Sequence, residues 1–95
     1  MGFLCIRGNN ICTPEGMRAG YVLIQDGLIT GISDQLSPNP SREVIDIGDS
    51  LLMPGLVDPH VHLNEPGRAD WEGFATGTRS AAAGGITTLV DMPLN

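Results

Sequence analysis

Lysine is absent from these 95 residues, and His60 and His62 are the only histidines. The basic side chains are five arginines, Arg7, Arg18, Arg42, Arg68 and Arg79, scattered singly against eleven acidic residues, for a formal net charge of −6 and a pI near 4.5. Binding to a nucleic-acid backbone draws on clustered positive charge, so that class of partner is disfavoured and none is expected. No run of about 18 apolar residues occurs, which excludes a helical membrane span and leaves no membrane partner expected. The first six residues carry no basic n-region and their apolar stretch stops at Arg7, too short for a secretory signal core. Ile6 stands where the N-myristoylation pattern requires Ser or Thr. With no export signal, Cys5 and Cys12 are expected to be reduced structural thiols in a cytoplasmic protein. A chain of this size buries only about 60–68% of the surface its unfolded form exposes, too little to close a large barrel by itself.

Two halves differ in character around Pro54-Gly55. In residues 1–53 the pattern predicts short strands and turns, an all-β unit. Residues 3–7 and Ile11-Cys12 flank a Gly8-Asn9-Asn10 turn. Residues 21–25 and 28–33 face each other across Asp26-Gly27, a pair suited to a type I′ hairpin. Ser37-Pro38-Asn39-Pro40-Ser41 reads as a proline-broken loop, followed by strands at 43–47 and 51–53 around Gly48-Asp49-Ser50. In residues 54–95 the period changes. A mostly apolar strand at 56–63 leads through Asn64-Glu65-Pro66-Gly67-Arg68 to a helix at about 70–83, with Asp70 as N-cap and Trp71, Phe74, Ala75, Thr78 and Ala82 near a 3.6 spacing. Gly84-Gly85 ends the helix and residues 86–92 form a second strand. Strand, helix, strand is a βαβ unit, whose strands are expected to be parallel and its crossover right-handed. The fold class is therefore α/β, with no internal repeat and no low-complexity tract.

The chemistry concentrates on Leu56-Val57-Asp58-Pro59-His60-Val61-His62-Leu63. Residues i and i+2 of a strand share a face, so His60 and His62 present two imidazoles side by side at the C-terminal end of the first parallel strand. That arrangement suits one metal ion, since neutral imidazole is a good ligand for zinc and related ions. His-X-His alone fits two hydrogen-bonded strand histidines equally well, and the neighbouring residues decide between the two.

From Pro54 to Asn95 the sequence PGLVDPHVHLNEPGRADWEGFATGTRSAAAGGITTLVDMPLN resembles the start of the metal-dependent amidohydrolase superfamily, in particular the cyclic amidohydrolases that include allantoinases, dihydropyrimidinases and dihydroorotases. The match is without a gap. Upstream, the Asp26-Gly27 hairpin and the VIDIGDSLLMPG run look like the small β-sandwich that precedes the barrel in this family. The resemblance thus implies part of a small β-sandwich over residues 1–53 and the first βαβ unit of a TIM-type (β/α)8 barrel over residues 54–95. Within the group, Asn64 stands where dihydroorotases carry an arginine for the substrate carboxylate, which implies a neutral substrate. The strings Glu65-Pro66-Gly67-Arg68, Trp71-Glu72-Gly73-Phe74 and Met92-Pro93-Leu94-Asn95 resemble the allantoinases, so the implied small-molecule substrate is allantoin, opened at its cyclic amide to allantoate. Hydantoin or dihydropyrimidine hydrolysis is the alternative.

The resemblance carries a further set of implications. Amides are poor electrophiles and water is a poor nucleophile at neutral pH; a pair of cations lowers the pKa of water and polarises the carbonyl. In the family His60 and His62 bind the more buried ion of two, commonly zinc. A carbamylated lysine bridges the ions, two further histidines bind the second, and an aspartate of the last barrel strand is ligand and general base. None of those later groups occurs here. A barrel of this type takes roughly 250 residues, so an N-terminal fragment is expected, catalytically inactive alone and without catalytic residues of its own, of a parent that is commonly a homotetramer.

Asn95 follows Met-Pro-Leu at the position of a substrate-contacting asparagine in related enzymes, the competing reading being a loop residue. Asp58 and Asp91 either order the strands and their histidines or form structural turns. Glu65 and Arg68 either shape the pocket mouth or form an exposed ion pair. Trp71 and Phe74 are expected to pack the helix. Two other classes of function are a non-catalytic scaffold, against which the paired imidazoles argue, and a short protein that docks onto a longer chain supplying the rest of the barrel.

Overall fold

Asp26 and Gly27 both adopt positive φ, 52° and 81°, the backbone that a two-residue type I′ turn requires. They join β2 (Gly16–Gln25) to β3 (Leu28–Ser33) with Gln25 opposite Leu28, as the sequence predicts. The computed structural model describes residues 2–36 and 42–94; the expected proline-broken loop at 37–41 lies outside them. The described chain forms two units, Met1–Pro54 and Gly55–Asn95.

The first unit is a sheet in the order β3-β2-β1-β4, with β5 (Leu51–Leu52) also on β1. Its central strand, β1 (Phe3–Thr13), pairs antiparallel with β2 on one edge and parallel with β4 (Arg42–Asp46) and then β5 on the other. The expected turn at Gly8-Asn9-Asn10 is absent. These residues are an irregularity inside one continuous strand, where Gly8 faces Gly20 and Ile11 faces Arg18. Three steps on β1 thus match two on β2, a bulge that reverses the alternation and puts Ile11 on the face of Ile6, Gly8 and Val22. The asparagines that suggested a turn instead fasten the bulge to the segment between β4 and β5. Asn9 N–H donates to the Gly48 carbonyl at 2.8 Å, Asn9 Nδ2 to Asp49 Oδ1 at 2.7 Å, and Asn10 Nδ2 to the Asp49 carbonyl at 2.9 Å.

The chain reverses later, at Pro14-Glu15, between Thr13 and Gly16. Gly16 has φ 121°, and Thr13 Oγ1 donates to its carbonyl at 2.6 Å. Ile11 and Val22 are buried on one face and Cys5 on the other. Arg7 pairs with Asp46 at 3.6 Å and Arg18 with Asp34, both at exposed positions where such pairs contribute under about 1 kcal/mol.

The second unit is the expected strand, helix, strand: β6 (Leu56–Val61), α1 (Phe74–Ala83) and β7 (Ile86–Asp91), with β6 and β7 parallel. Glycine makes this packing possible at two places. A Cβ on Gly55 would lie 2.1 Å from Thr87 Oγ1 and 2.7 Å from Thr87 Cβ, and one on Gly77 would lie 2.5 Å from Leu63 Cδ2, so α1 approaches the chain after β6 through a side-chain-free position. Leu63 is correspondingly buried.

The helix stops where Gly84-Gly85 predicts, with Gly85 at φ 86°, but it starts four residues later than expected. Asp70 is not its N-cap; it lies in a turn closed by the Trp71 N–H donating to the Arg68 carbonyl at 2.9 Å. The cap position is Gly73, and Glu65 supplies the missing acceptor from outside, taking the Phe74 N–H on Oε1 at 3.0 Å. No residue of α1 is buried, and Trp71 and Phe74 are 68% and 45% exposed. Neither aromatic is buried among the described residues, contrary to the packing role expected of them. Among the described residues no helix is long and apolar enough to cross a membrane.

Candidate functional site

The expected strand ends early, and its irregularity shapes the site. β6 closes at Val61 rather than Leu63. Asp58 faces Leu89 and Val61 faces Asp91, so three steps on β6 match two on β7. The extra residue falls at Pro59-His60, and a bulge of this kind re-aims the side chains that follow it. Asp58 stabilises the distortion by accepting the His60 N–H on Oδ1 at 3.1 Å, a local turn of the kind short acidic side chains form. Of its two expected roles, Asp58 takes the local turn, made on the backbone N–H of His60 and not on an imidazole.

His60 and His62 come together. Their ring centroids are 5.1 Å apart and their planes are inclined at 77°. Both rings are exposed. His62 Nδ1 lies 2.6 Å from the Met92 carbonyl oxygen. A carbonyl only accepts, so Nδ1 is the donor in this contact, and in the neutral imidazole Nε2 keeps its lone pair for another partner. A histidine fastened through one nitrogen to a backbone carbonyl and open at the other is the usual state of a metal-ligating imidazole. Among the described residues no group of three or more His, Cys, Asp or Glu side chains converges as a metal cage.

The loop after the histidines is organised by contacts that single-residue reasoning missed. Asn64 has φ 64° and the Glu65-Pro66 peptide is cis. Glu65 and Arg68 form no ion pair with each other among the described residues. Glu65 caps α1, and the Arg68 guanidinium lies 4.7 Å from the centre of the Trp71 ring, within cation–π range. The cap is detectable in sequence only as an acidic residue nine positions before the helix, a spacing no local capping rule uses. Asp91, expected to order either a strand or a turn, accepts the Leu63 N–H on Oδ1 at 3.1 Å. Asn95, the expected substrate contact, lies outside the described residues.

Comparison with known proteins gives the family. Residues 51–95 match the Amidohydrolase family. An allantoinase of Arabidopsis thaliana is 51% identical over 94 residues, 95% of this chain and 19% of the relative. The chain belongs to the amidohydrolase family. A probable allantoinase of Oryza sativa subsp. japonica is 63% identical to this amidohydrolase chain over 92 residues, covering 95% of it and 18% of the relative. An allantoinase of Streptomyces avermitilis is 54% identical over 93 residues, covering 97% and 21%. The solved L-hydantoinase (dihydropyrimidinase) from Arthrobacter aurescens superposes with a TM-score of 0.85 at 32% identity, covering 99% of the amidohydrolase chain and 21% of that structure. The chain spans about a fifth of the length of the curated relatives it matches.

Proposed function

We propose that this chain is part of an allantoinase-like hydrolase that opens the hydantoin ring of allantoin at its cyclic amide to give allantoate. The observation that carries the reading is the 51–63% identity to plant and bacterial allantoinases over nearly the whole chain, against 32% to the hydantoinase. On this reading Met1–Pro54 is part of a small β-sandwich, and Gly55–Asn95 is the first βαβ unit of a (β/α)8 barrel. Strand C-terminal ends carry the active site in such barrels, and His60 and His62 stand at the C-terminal end of β6. The two free cysteines, Cys5 buried and Cys12 exposed, support a reducing, cytoplasmic setting.

The donor set fits a divalent ion as far as it goes. Two adjacent imidazoles, one of them with its proton fixed on Nδ1, suit zinc, with Nε2 of His62 and a nitrogen of His60 as ligands. Bound ions of this type supply Lewis acidity for activating water and polarising an amide carbonyl. The chain's own contribution is to hold both rings at one strand end, in a fixed tautomer for His62. Asn95 is proposed as a contact to the ring, and the assembled enzyme as a homotetramer. A hydantoinase-like or dihydropyrimidinase-like preference is the second reading, favoured by the close superposition on the Arthrobacter enzyme.

The test is zinc-supplemented hydrolysis of allantoin, hydantoin and dihydrouracil by the product of the complete reading frame that carries these residues, with the 95-residue chain in parallel. Allantoin is expected to be turned over fastest, His60→Ala and His62→Ala to abolish turnover, and the 95-residue chain to be silent. Preference for dihydrouracil or unsubstituted hydantoin would replace the first reading by the second.

A further inference from the structure

We propose that Asp91 is a positioning residue for His62: its carboxylate fixes the chain after β6 so that the His62 ring stays locked on the Met92 carbonyl and presents Nε2. The inference rests on the reading of His62 as a metal ligand only for its consequence, and its geometry stands independently.

Three bonds join the ends of the two strands. The Met92 N–H donates to the Val61 carbonyl at 2.8 Å, the His62 Nδ1–H donates to the Met92 carbonyl at 2.6 Å, and the Leu63 N–H donates to Asp91 Oδ1 at 3.1 Å. Each is made by a residue of 61–63 on one side and of 91–92 on the other. Regular pairing cannot supply this alignment, because the irregularity between Asp58 and Val61 interrupts the ladder just before it and β6 ends at Val61. Beyond that point the backbone of His62 and Leu63 has no strand partner, and the Asp91 side chain takes over by accepting the Leu63 N–H.

Leu63 is held at a second point. Its side chain is buried and fills the space above Gly77 of α1. His62 is therefore suspended between Val61, paired in the sheet, and Leu63, anchored by Asp91 and the helix. With both flanking residues fixed, the ring reaches one carbonyl and holds one tautomer. Without the Asp91 acceptor, the Leu63 N–H must turn towards water, the His62 backbone turns with it, and the bond to Met92 is the one that loosens. Groups that orient a ligand histidine change metal affinity by about 10–100-fold when removed.

The experiment reads the tautomer directly, by long-range ¹H–¹⁵N correlation of the imidazoles in the chain with a chelator present, followed by titration with zinc alone. Wild type is expected to show His62 as the single Nδ1–H tautomer. Asp91→Val keeps a strand-forming side chain of similar shape but has no acceptor, and is expected to give a mixture of tautomers at His62 with zinc affinity lowered about 10–100-fold. Asp91→Asn retains Oδ1 and is expected to restore both. Glu65→Ala, which removes the acceptor of the Phe74 N–H in the same unit, lowers its stability and is expected to leave the His62 tautomer unchanged, which separates positioning from general loosening. A single tautomer and an unchanged zinc affinity in Asp91→Val would overturn the proposal. So would a mixture in Asp91→Asn equal to that in Asp91→Val. If zinc leaves both wild-type histidines unmoved while the tautomer still follows position 91, the metal reading fails and the positioning of His62 stands.

Discussion

Substituting Gly55 by alanine pits two opposed effects against each other, and the structure says which wins. An alanine restricts the unfolded chain more than glycine does, and where the native backbone tolerates it the change stabilises by about 0.4–1 kcal/mol. Gly55 is not among the residues with positive φ, so its backbone conformation alone raises no objection to alanine. The objection is Thr87. The added methyl would sit 2.1 Å from Oγ1, 2.4 Å from Cγ2 and 2.7 Å from Cβ of that residue. A β-branched side chain has little rotational freedom with which to withdraw, and its Cβ moves only if β7 moves. Overpacking of this kind costs about 1–3 kcal/mol.

The entropic gain offsets part of that, leaving a net loss of about 1–2 kcal/mol. In a chain of this size that is a fall in Tm of about 5–15 °C. The assay is thermal and urea unfolding of wild type, Gly55→Ala, Thr87→Gly and the double variant. Because the clash needs both side chains, the cycle is expected to give a coupling of at least about 1 kcal/mol, with Gly55→Ala harmless or stabilising once Thr87 is removed. A Gly55→Ala chain as stable as wild type, or a double variant whose losses simply add, would refute the steric reasoning.

Two further outcomes follow from single contacts. Glu65→Ala removes the acceptor of the Phe74 N–H and is expected to lower the stability of the second unit by about 1 kcal/mol, as loss of a helix cap does. Glu65→Gln should recover part of it, read by helical circular dichroism during unfolding. Burial pushes the Cys5 thiol above its ordinary value of 9.0, with the Arg42 guanidinium pulling the other way. The folded state therefore keeps a proton that the unfolded state releases. Stability from this group is full below pH 9 and drains away as the pH rises through the raised folded value. Urea midpoints measured across that range check the sign, and native-state alkylation should modify exposed Cys12 while leaving Cys5 unreacted until unfolding.

Sequence reasoning succeeded where a local pattern has one structural meaning. Asp26-Gly27 between apolar runs admits only the backbone later found, and Gly84-Gly85 ends a helix for the same stereochemical reason. His60 and His62 come together as expected, although not by the regular alternation that suggested it, since the register shifts between Asp58 and Val61 and the strand ends before His62. Errors arose wherever a distant residue supplied the deciding bond. Gly8-Asn9-Asn10 has the composition of a turn, but Gly48 and Asp49, some forty positions away, satisfy its polar groups and keep the strand extended. Asp70 is a good local N-cap, yet Glu65 already caps the helix at Phe74. The carbonyl of Met92 is invisible to any reading of side chains, although it selects which nitrogen of His62 remains open.

The placement of β1 at the centre of the first sheet has a consequence in time. Its partner on one edge, β2, follows through a two-residue turn, whereas β4 and β5 arrive only after β3 and the segment beyond it. Hairpins close in about 1–10 μs, while a ribosome adds about 5–20 residues per second. The three-stranded meander β1-β2-β3 can thus be complete before β5 is even synthesised, an interval of about 1–4 s. Throughout that interval the far edge of β1 offers unpaired backbone groups to any passing strand. The nascent chain is most exposed to mispairing in those seconds, and the arrival of residues 42–52 on that edge closes the risk.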